Sequence, residues 1–426
     1  MNAQVSFLEG ELSLIHIPLE LYATFVQPIL HVLLPQAHSL SLDAEDDSAP
    51  DQGLTADNKH SFLNISITPV ECSIVCRTYW AEKVFKPLVC DKLPKDAGKA
   101  VSISKNSYIA LCVMSGGMDA GSRVVDLSSP LALAGIPIFF VTTYYSDFIL
   151  VPTKDRHSVV QALLSREFVF SEMESSFVSH GTLSHQGGGG GGNSNRRGSS
   201  VGSSISSSIS RLGSSILSTV PTTPPPSNAA ELQDRTFIQL RNQNVVPYIV
   251  PDLHVAHCSG HSTLDTGRGG GYYSSSQRPS ASSGSGSGSG GGGNPRSWAD
   301  TIDARLYTCL VSAMVLPPKF LSVTLTELDP PSMLLDKTLL PIFGSSVVGD
   351  VGGDLVPIFL DLVNLPFEAT GIVSGVAGKL VSELRMAEVP ELSYLSTSKA
   401  GAVILESEHA QKALQILQPL LDPQET

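Results

Sequence analysis

Basic residues are scarce in this sequence: 27 Lys and Arg stand against 40 Asp and Glu, which gives a net charge of −13. Charged residues of both signs make up only 16% of the chain, and Lys and Arg form no stripe along it. Proteins that bind DNA or RNA neutralise phosphates with clustered basic side chains. The composition therefore excludes nucleic acid as the main partner.

Cysteine is also rare, with six residues in 426 and no regular spacing, which argues against a disulfide-held secreted scaffold. Residues 1–10 lack the basic segment of a secretory signal. The apolar stretch Leu12–Pro35 is interrupted by Pro18, Glu20 and Pro28, and a glutamate at a bilayer centre is costly. We therefore expect a cytoplasmic protein with buried thiols and no membrane span.

Motifs for catalysis or metal binding are missing as well. The glycine-rich segment 115–122 lacks the Gly-Lys-Ser/Thr sequence that holds phosphates. His254, His257, Cys258 and His261 have a zinc-like spacing, but no second pair of ligands accompanies them. The sequence predicts a protein that is not an enzyme and has no metal and no cofactor.

Large apolar side chains are sparse in three stretches, Ser39–Lys59, Ser175–Asn228 and Ser259–Arg296, which are rich in Ser, Gly, Pro and Asp. Burial in such segments cannot offset the loss of chain entropy, so we expect them to be disordered. The second stretch carries Arg196 and Arg197 before Ser199, a candidate phosphorylation site. The other segments are strongly apolar and can form a large core.

Those apolar segments alternate between strand and helix patterns. In the first half the predicted elements are the strand Val5–Ile17, the helix Leu19–Leu34, the strands Phe62–Ile67, Glu71–Arg77 and Ser107–Met114, the helix Ser129–Ala134, the strands Ile136–Thr143 and Asp147–Pro152, and the helix His157–Ser165. In the second half they are the strands Lys319–Leu325, Ser332–Asp336 and Leu355–Val363, the helix Gly371–Leu384, the strands Leu392–Ser396 and Ala402–Glu406, and the helix Ser407–Leu417. This order is typical of βαββαβ modules with a ferredoxin-like, α+β fold.

Residues 131–151 and 384–405 can be aligned with one inserted residue, which indicates an internal duplication. The sequence thus predicts two modules, a linker and two further modules. The expected ranges are 1–100, 101–174, the linker 175–228, 229–345 and 346–426.

The segments TTYYSDFILVPTKDRHSVVQAL (142–163) and FEATGIVSGVAGKLVSEL (367–384) resemble the CASTOR/GATS-like family of cytosolic arginine sensors. The resemblance implies four ACT modules in tandem, a free amino acid bound between the second and fourth, and no enzymatic activity. It also implies a regulatory complex of the TOR pathway as partner, and a homodimer formed through edge strands of the odd-numbered modules.

The resemblance further implies which residues contact the ligand: Pro137, Ile138, Glu368, Ala369, Thr370, Gly371, Ile372, Val373, Ser396, Thr397 and Ser398. A glycine at 371 would let the backbone approach a ligand, and the N–H groups that begin a helix attract a carboxylate. Three positions depart from the family. Gly401 stands where the arginine sensors have an acid, Ala369 where they have a glutamate, and Pro137 where they have a serine.

The same resemblance assigns partner contacts to Tyr144, Tyr145 and Asp147, although a plain hairpin turn is an alternative interpretation of this segment. Two other functions stay open at the level of sequence. The chain could be a ligand-free scaffold for protein–protein contacts, which the departures at Pro137, Ala369 and Gly401 favour, or a regulatory subunit of an amino-acid biosynthetic enzyme.

Overall fold

The computed structural model describes residues 3–34, 61–114, 121–170, 226–261, 303–384 and 391–422, and it confirms the α+β class. Most of the three stretches that we expect to be disordered lies outside these residues, as does Ser199. Two ends of those stretches are ordered. Ser259 and Gly260 belong to a strand, and the Asn228 side chain accepts a hydrogen bond from Glu231 N and thereby caps a helix.

The strands are β1 (Gln4–Phe7), β2 (Leu12–Ile17), β3 (Phe62–Ile67), β4 (Cys72–Arg77), β5 (Ser102–Ile103), β6 (Tyr108–Met114), β7 (Phe139–Thr142), β8 (Asp147–Pro152), β9 (Val169–Phe170), β10 (Pro247–Ile249), β11 (Val255–Gly260), β12 (Leu321–Thr326), β13 (Ser332–Asp336), β14 (Val347–Asp361), β15 (Ser393–Ser396) and β16 (Ala400–Glu406). The helices are α1 (Tyr22–Leu33), α2 (Thr78–Trp80, followed by π-helical turns Ala81–Phe85 and Leu88–Lys92), α3 (Lys95–Ala100), α4 (Arg123–Leu133), α5 (Arg156–Leu164), α6 (Ala229–Asn242), α7 (Ala304–Val315), α8 (Leu340–Phe343), α9 (Ile372–Leu384) and α10 (Ser407–Leu421).

The described strands fall into four groups: β2–β5, then β6–β9 with β1, then β11–β13, and finally β14–β16 with β10. One part of the sheet, sheet A, joins the first and third of these strand groups. Its order is β5-β2-β4-β3-β12-β13-β11-β14, and the two groups meet where β3 pairs antiparallel with β12 from Leu321↔Ile67 to Thr326↔Phe62. One edge of each odd-numbered group is thus paired with the other within one chain, along β3 and β12. The homodimer through edge strands stays a prediction.

The other part, sheet B, joins the second and fourth groups in the order β14-β16-β15-β7-β8-β6-β1-β9, with β10 beside β14. Its two groups meet where β15 pairs antiparallel with β7 at Leu395↔Val141. The 15-residue strand β14 belongs to both sheets, because its first part pairs with β11 and its second part, from Leu355, pairs with β16.

Two strands pair with a group that is distant from them in sequence. β1 lies in the range 1–100 but pairs antiparallel with β6, and so completes the second group. β10 precedes the third group but pairs with the fourth, along the second part of β14. The strand expected at Val5–Ile17 is therefore two strands, β1 and β2. They are separated by a bend at Gly10, whose φ of 93° suits glycine.

Three apolar layers hold the sheets and helices together. The two sheets face each other through large side chains such as Leu14, Phe62, Phe148, Phe320 and Phe359. The other side of sheet B is covered by α4, α5, α6, α9 and α10, and the other side of sheet A by α1, the α2 segment, α7 and α8. The molecule is thus layered helix–sheet–sheet–helix.

The helix expected at Ser129–Ala134 begins earlier, at Arg123. Val124, Leu127 and Leu131 are buried at helical spacing, so the apolar face starts before Pro130. Among the described residues, no helix has both the length and the apolar character needed to cross a bilayer.

Candidate functional site

A cavity of about 50 Å³ lies where the second and fourth strand groups meet in sheet B. Its walls are the start of β7, the loop that leads into α9, and the hairpin of β15 and β16. It is lined by Ile138, Phe139, Leu362, Leu365, Pro366, Phe367, Ala369, Gly371, Ile372, Val373, Tyr394, Ser396, Thr397, Ser398 and Ala400. Eight of the eleven residues expected to contact a ligand are among them.

The three others, Pro137, Glu368 and Thr370, do not line the cavity. Glu368 is exposed, and its Oε1 lies 3.4 Å from Asn106 Nδ2. The nearest cation on the hairpin is Lys399, whose ammonium donates to Leu365 O at 3.1 Å and lies 4.6 Å from the centre of the Phe367 ring. Both charged groups thus belong to the surface around the site.

Gly371 has a left-handed backbone with φ of 83°, and it lies under α6. A β-carbon at this position would come within 2.7 Å of Leu232 Cδ1 and 3.0 Å of Thr236 Oγ1. Thr236 also donates its hydroxyl to Gly371 O at 3.2 Å. The glycine is therefore required by helix packing as well as by the turn, a reason that the sequence did not reveal because α6 itself was not predicted.

Tyr394 is a wall residue that the sequence did not point to. Its side chain is fully buried, and its hydroxyl has no hydrogen-bond partner among the described residues. A β-carbon on Gly401 would lie 2.6 Å from Tyr394 Oη, so Tyr394 and a side chain at 401 exclude each other. The alignment of 131–151 with 384–405 places Tyr394 opposite Phe140. The sequence signal for this residue was therefore a tyrosine hydroxyl at a position where the other segment has a phenylalanine.

The tip of this hairpin is held by sheet A. The fully buried carboxylate of Glu71 accepts hydrogen bonds from Thr397 Oγ1 at 2.6 Å and from Lys399 N, and it pairs with His16 Nδ1 at 2.6 Å. Ser398 N donates to Ser73 Oγ at 3.0 Å. The cavity wall formed by Thr397 and Ser398 is therefore fixed to the first strand group.

The corresponding hairpin of the second strand group contains the expected partner residues. Tyr144 and Tyr145 are 37% and 49% exposed, and their rings meet edge to face at 4.9 Å. The turn is anchored to sheet A, because Tyr144 N donates to Ser332 Oγ at 2.9 Å and the Tyr144 ring packs on His257. These two tyrosines are the part of the turn that a partner can reach.

Asp147 is placed differently, since its side chain is only 1% exposed and cannot meet a partner in this structure. Its Oδ2 lies 2.6 Å from Arg123 Nε, and the Arg123 Nη2 lies 3.3 Å from Glu391 Oε1. Burial raises the pKa of Asp147 to about 6, although Arg123 opposes the shift. Burial, with Arg123 nearby, lowers the pKa of His257 to about 4.

The zinc-like spacing brings no ligands together. His254 Nδ1 lies 2.7 Å from Asp354 Oδ1, His261 Nε2 lies 3.0 Å from Ser345 O, and Cys258 is buried in the sheet. Within the described ranges, no three His, Cys, Asp or Glu side chains are placed to hold a metal ion. Of the glycine-rich segment 115–122, residues 115–120 lie outside the described residues.

Comparison with known proteins finds an ACT domain at residues 103–165, which span β6, α4, β7, β8 and α5. No curated protein matches the sequence. Among solved structures, protein Atu0741 from Agobacterium tumefaciens is similar at 19% identity and a TM-score of 0.25, over 40% of this chain and 93% of that one. Aspartate kinase from Synechocystis is similar at 8% identity and a TM-score of 0.29, over 99% of this chain and 57% of the kinase, so this chain spans little more than half of that enzyme. The family relation that these comparisons support is an ACT domain at residues 103–165 within an α+β fold.

Proposed function

We propose that this chain is a non-enzymatic regulatory protein that binds a free amino acid in the cavity between the second and fourth strand groups. ACT domains bind amino acids generally, and one is found at residues 103–165. The observation that carries the proposal is the meeting of Ile138 from one group with Gly371–Val373 and Ser396–Ser398 from the other around one cavity.

A ligand in this position would act on the relation between the two groups. It would touch β7 on one side and α9 with the β15–β16 hairpin on the other, so its binding energy would favour one arrangement of the groups. The N–H groups that begin α9 have no partners within the helix and suit a carboxylate. Because Glu71 and Ser73 hold the hairpin tip, the effect of binding would reach sheet A.

The resemblance to the CASTOR/GATS-like sensors supplies the finer part of the proposal. In this part the four modules 1–100, 101–174, 229–345 and 346–426 form a cytoplasmic nutrient sensor. The strand β1 of the first module pairs with the second module, and β10 of the third module pairs with the fourth. Tyr144 and Tyr145 form the contact surface for a regulatory complex of the TOR pathway. Their exposure supports this role, because two aromatic rings at the tip of a turn offer a large contact area.

A thermal-shift screen of the purified protein against the twenty amino acids tests the proposal. A ligand at a hundred times its dissociation constant adds about 2.7 kcal/mol of stability, which gives a clear shift. Ala369→Leu fills part of the cavity and should abolish the shift. Ala304→Leu, the same substitution at an exposed position of α7, should keep it.

One observation favours the second candidate, a ligand-free scaffold: the cavity of about 50 Å³ is small. A flat response to all twenty amino acids, by both the native protein and Ala304→Leu, would contradict the sensor and support the scaffold.

A further inference from the structure

Among the residues that the structure describes, no charged side chain lines the cavity. The polar lining residues are Tyr394, Ser396, Thr397 and Ser398, and three of them are already bonded. Ser396 Oγ accepts from Phe140 N at 2.9 Å, Thr397 Oγ1 donates to Glu71 Oε1 at 2.6 Å, and Ser398 Oγ bonds Ser73 Oγ at 2.9 Å. Tyr394 differs, since its buried hydroxyl has no partner among the described residues.

A buried hydroxyl without a partner is unfavourable, because it has lost its bonds to water and gained none in the protein. Such a group in the wall of a cavity is satisfied when a molecule with an acceptor atom enters. Burial raises the pKa of Tyr394 well above its ordinary value, so the group stays a neutral phenol that donates a hydrogen bond.

The size of the cavity limits what can enter without rearrangement. The cavity of about 50 Å³ is several times the space of about 10–15 Å³ that one buried water needs, so it favours a small ligand over a long one. Arginine and lysine are long, and their cationic ends need a carboxylate when they are buried. The Tyr394 hydroxyl fills the place where a side chain at position 401 would stand, so position 401 cannot supply that carboxylate.

We propose that the site takes a small amino acid with an uncharged side chain, because the described lining offers no charged partner, and that Tyr394 helps to bind it by donating its hydroxyl to an acceptor atom of the ligand. This inference rests on the proposed function, because it names the class of ligand for the same cavity. In this arrangement the carboxylate lies at the start of α9 and the side chain lies against the apolar wall around Phe367 and Ile372.

The test uses isothermal titration of the full chain with alanine, serine, valine, aspartate and arginine as probes. We expect at least one of the three neutral probes to bind, and arginine and aspartate to bind at least about tenfold more weakly, the cost of burying a charge without a partner. Tyr394→Phe should weaken the best neutral probe by about twofold to tenfold, the range for one lost hydrogen bond.

Thermal unfolding of the ligand-free variants separates recognition from a structural role. Tyr394→Phe removes a hydroxyl that has no partner, so the melting temperature should stay the same or rise. Tyr22→Phe is the matched control. Tyr22 donates to Met314 O at 2.5 Å far from the cavity, so its loss should lower the melting temperature and leave the affinity unchanged.

Arginine or aspartate as the tightest probe would overturn the inference and leave the proposed function standing. Unchanged affinity in Tyr394→Phe, or a melting temperature that falls as it does in Tyr22→Phe, would remove Tyr394 from ligand recognition. If none of the twenty amino acids raises the melting temperature in the thermal-shift screen, the proposed function fails, and the inference fails with it.

Discussion

Asp147 and Arg123 form a buried ion pair, and Asp147 occupies the position in the second strand group that corresponds to Gly401 in the fourth. The Asp147 carboxylate pairs with Arg123, and Arg123 pairs in turn with Glu391. The hairpin of one group therefore ends on an internal salt bridge, whereas the other ends on a cavity. Single side chains therefore give the two hairpins different chemistry.

This burial predicts a pH effect. The pKa of Asp147 is raised from 3.8 to about 6, so between these values the folded protein holds a proton that the unfolded chain releases. The contribution is favourable below about pH 4 and is lost as the pH rises to about 6. Asp147→Asn cannot titrate, so the stability of the native protein relative to this variant should fall by about 3 kcal/mol across that range.

Urea unfolding of both proteins between pH 4 and pH 7 measures this difference. His257, whose pKa is lowered to about 4, has the opposite effect but is present in both proteins and largely cancels. A difference that is constant with pH would contradict the prediction.

At the scale of elements, the sequence predicted neither α6 nor α7, and the site depends on α6. It follows a low-complexity stretch, and its contacts with α9 are made through small residues. A β-carbon on Gly375 would lie 2.7 Å from Thr236 Cβ. No local sequence pattern predicts such a contact, since it exists only when the two helices are packed.

Gly375→Ala should therefore push α6 away from α9. Overpacking of this kind costs about 1–3 kcal/mol, which outweighs the gain in helix propensity from alanine. Hydrogen exchange should become faster in Ala229–Asn242 and stay unchanged in α1 on the opposite face. Gly352→Ala is a suitable control, because a β-carbon there meets only Asp350 Oδ1, at 3.5 Å. Equal exchange in α6 of both variants would contradict the prediction.

Other elements were predictable because their patterns are local. β3, β8, β13 and α9 lie within a residue of their expected ranges, since alternation or helical spacing of apolar residues marks them. The cavity was predictable only in part. The α9 turn and the hairpin tip follow from the resemblance, whereas Tyr394 opposite Gly401 and Glu71 beneath Thr397 depend on strand register and on the packing of two sheets.

At the scale of the whole molecule, β1 and β10 connect the strand groups, because each pairs with the group that follows the one beside it in sequence. β1 contributes Val5, which is fully buried, and pairs with four residues of β6. Removal of residues 1–8 should therefore weaken the second group, although the deleted residues adjoin the first group in sequence. Hydrogen exchange should become faster in Tyr108–Met114 and remain slow in Phe62–Ile67, which keeps both of its neighbours.

The control for this truncation is a full-length Gln4→Ala variant, which removes only an exposed side chain from β1. Uniform loss of protection across both sheets would contradict the local role of β1.

The pairing of β1 with β6 also has a consequence during synthesis. About 100 residues separate the two strands, and a ribosome adds about 5–20 residues per second. β1 therefore waits for roughly 5–20 s before its partner exists, and β10 waits in the same way for the second part of β14. During these intervals each nascent strand has open edges, which are the sites where neighbouring chains on a polysome can pair wrongly.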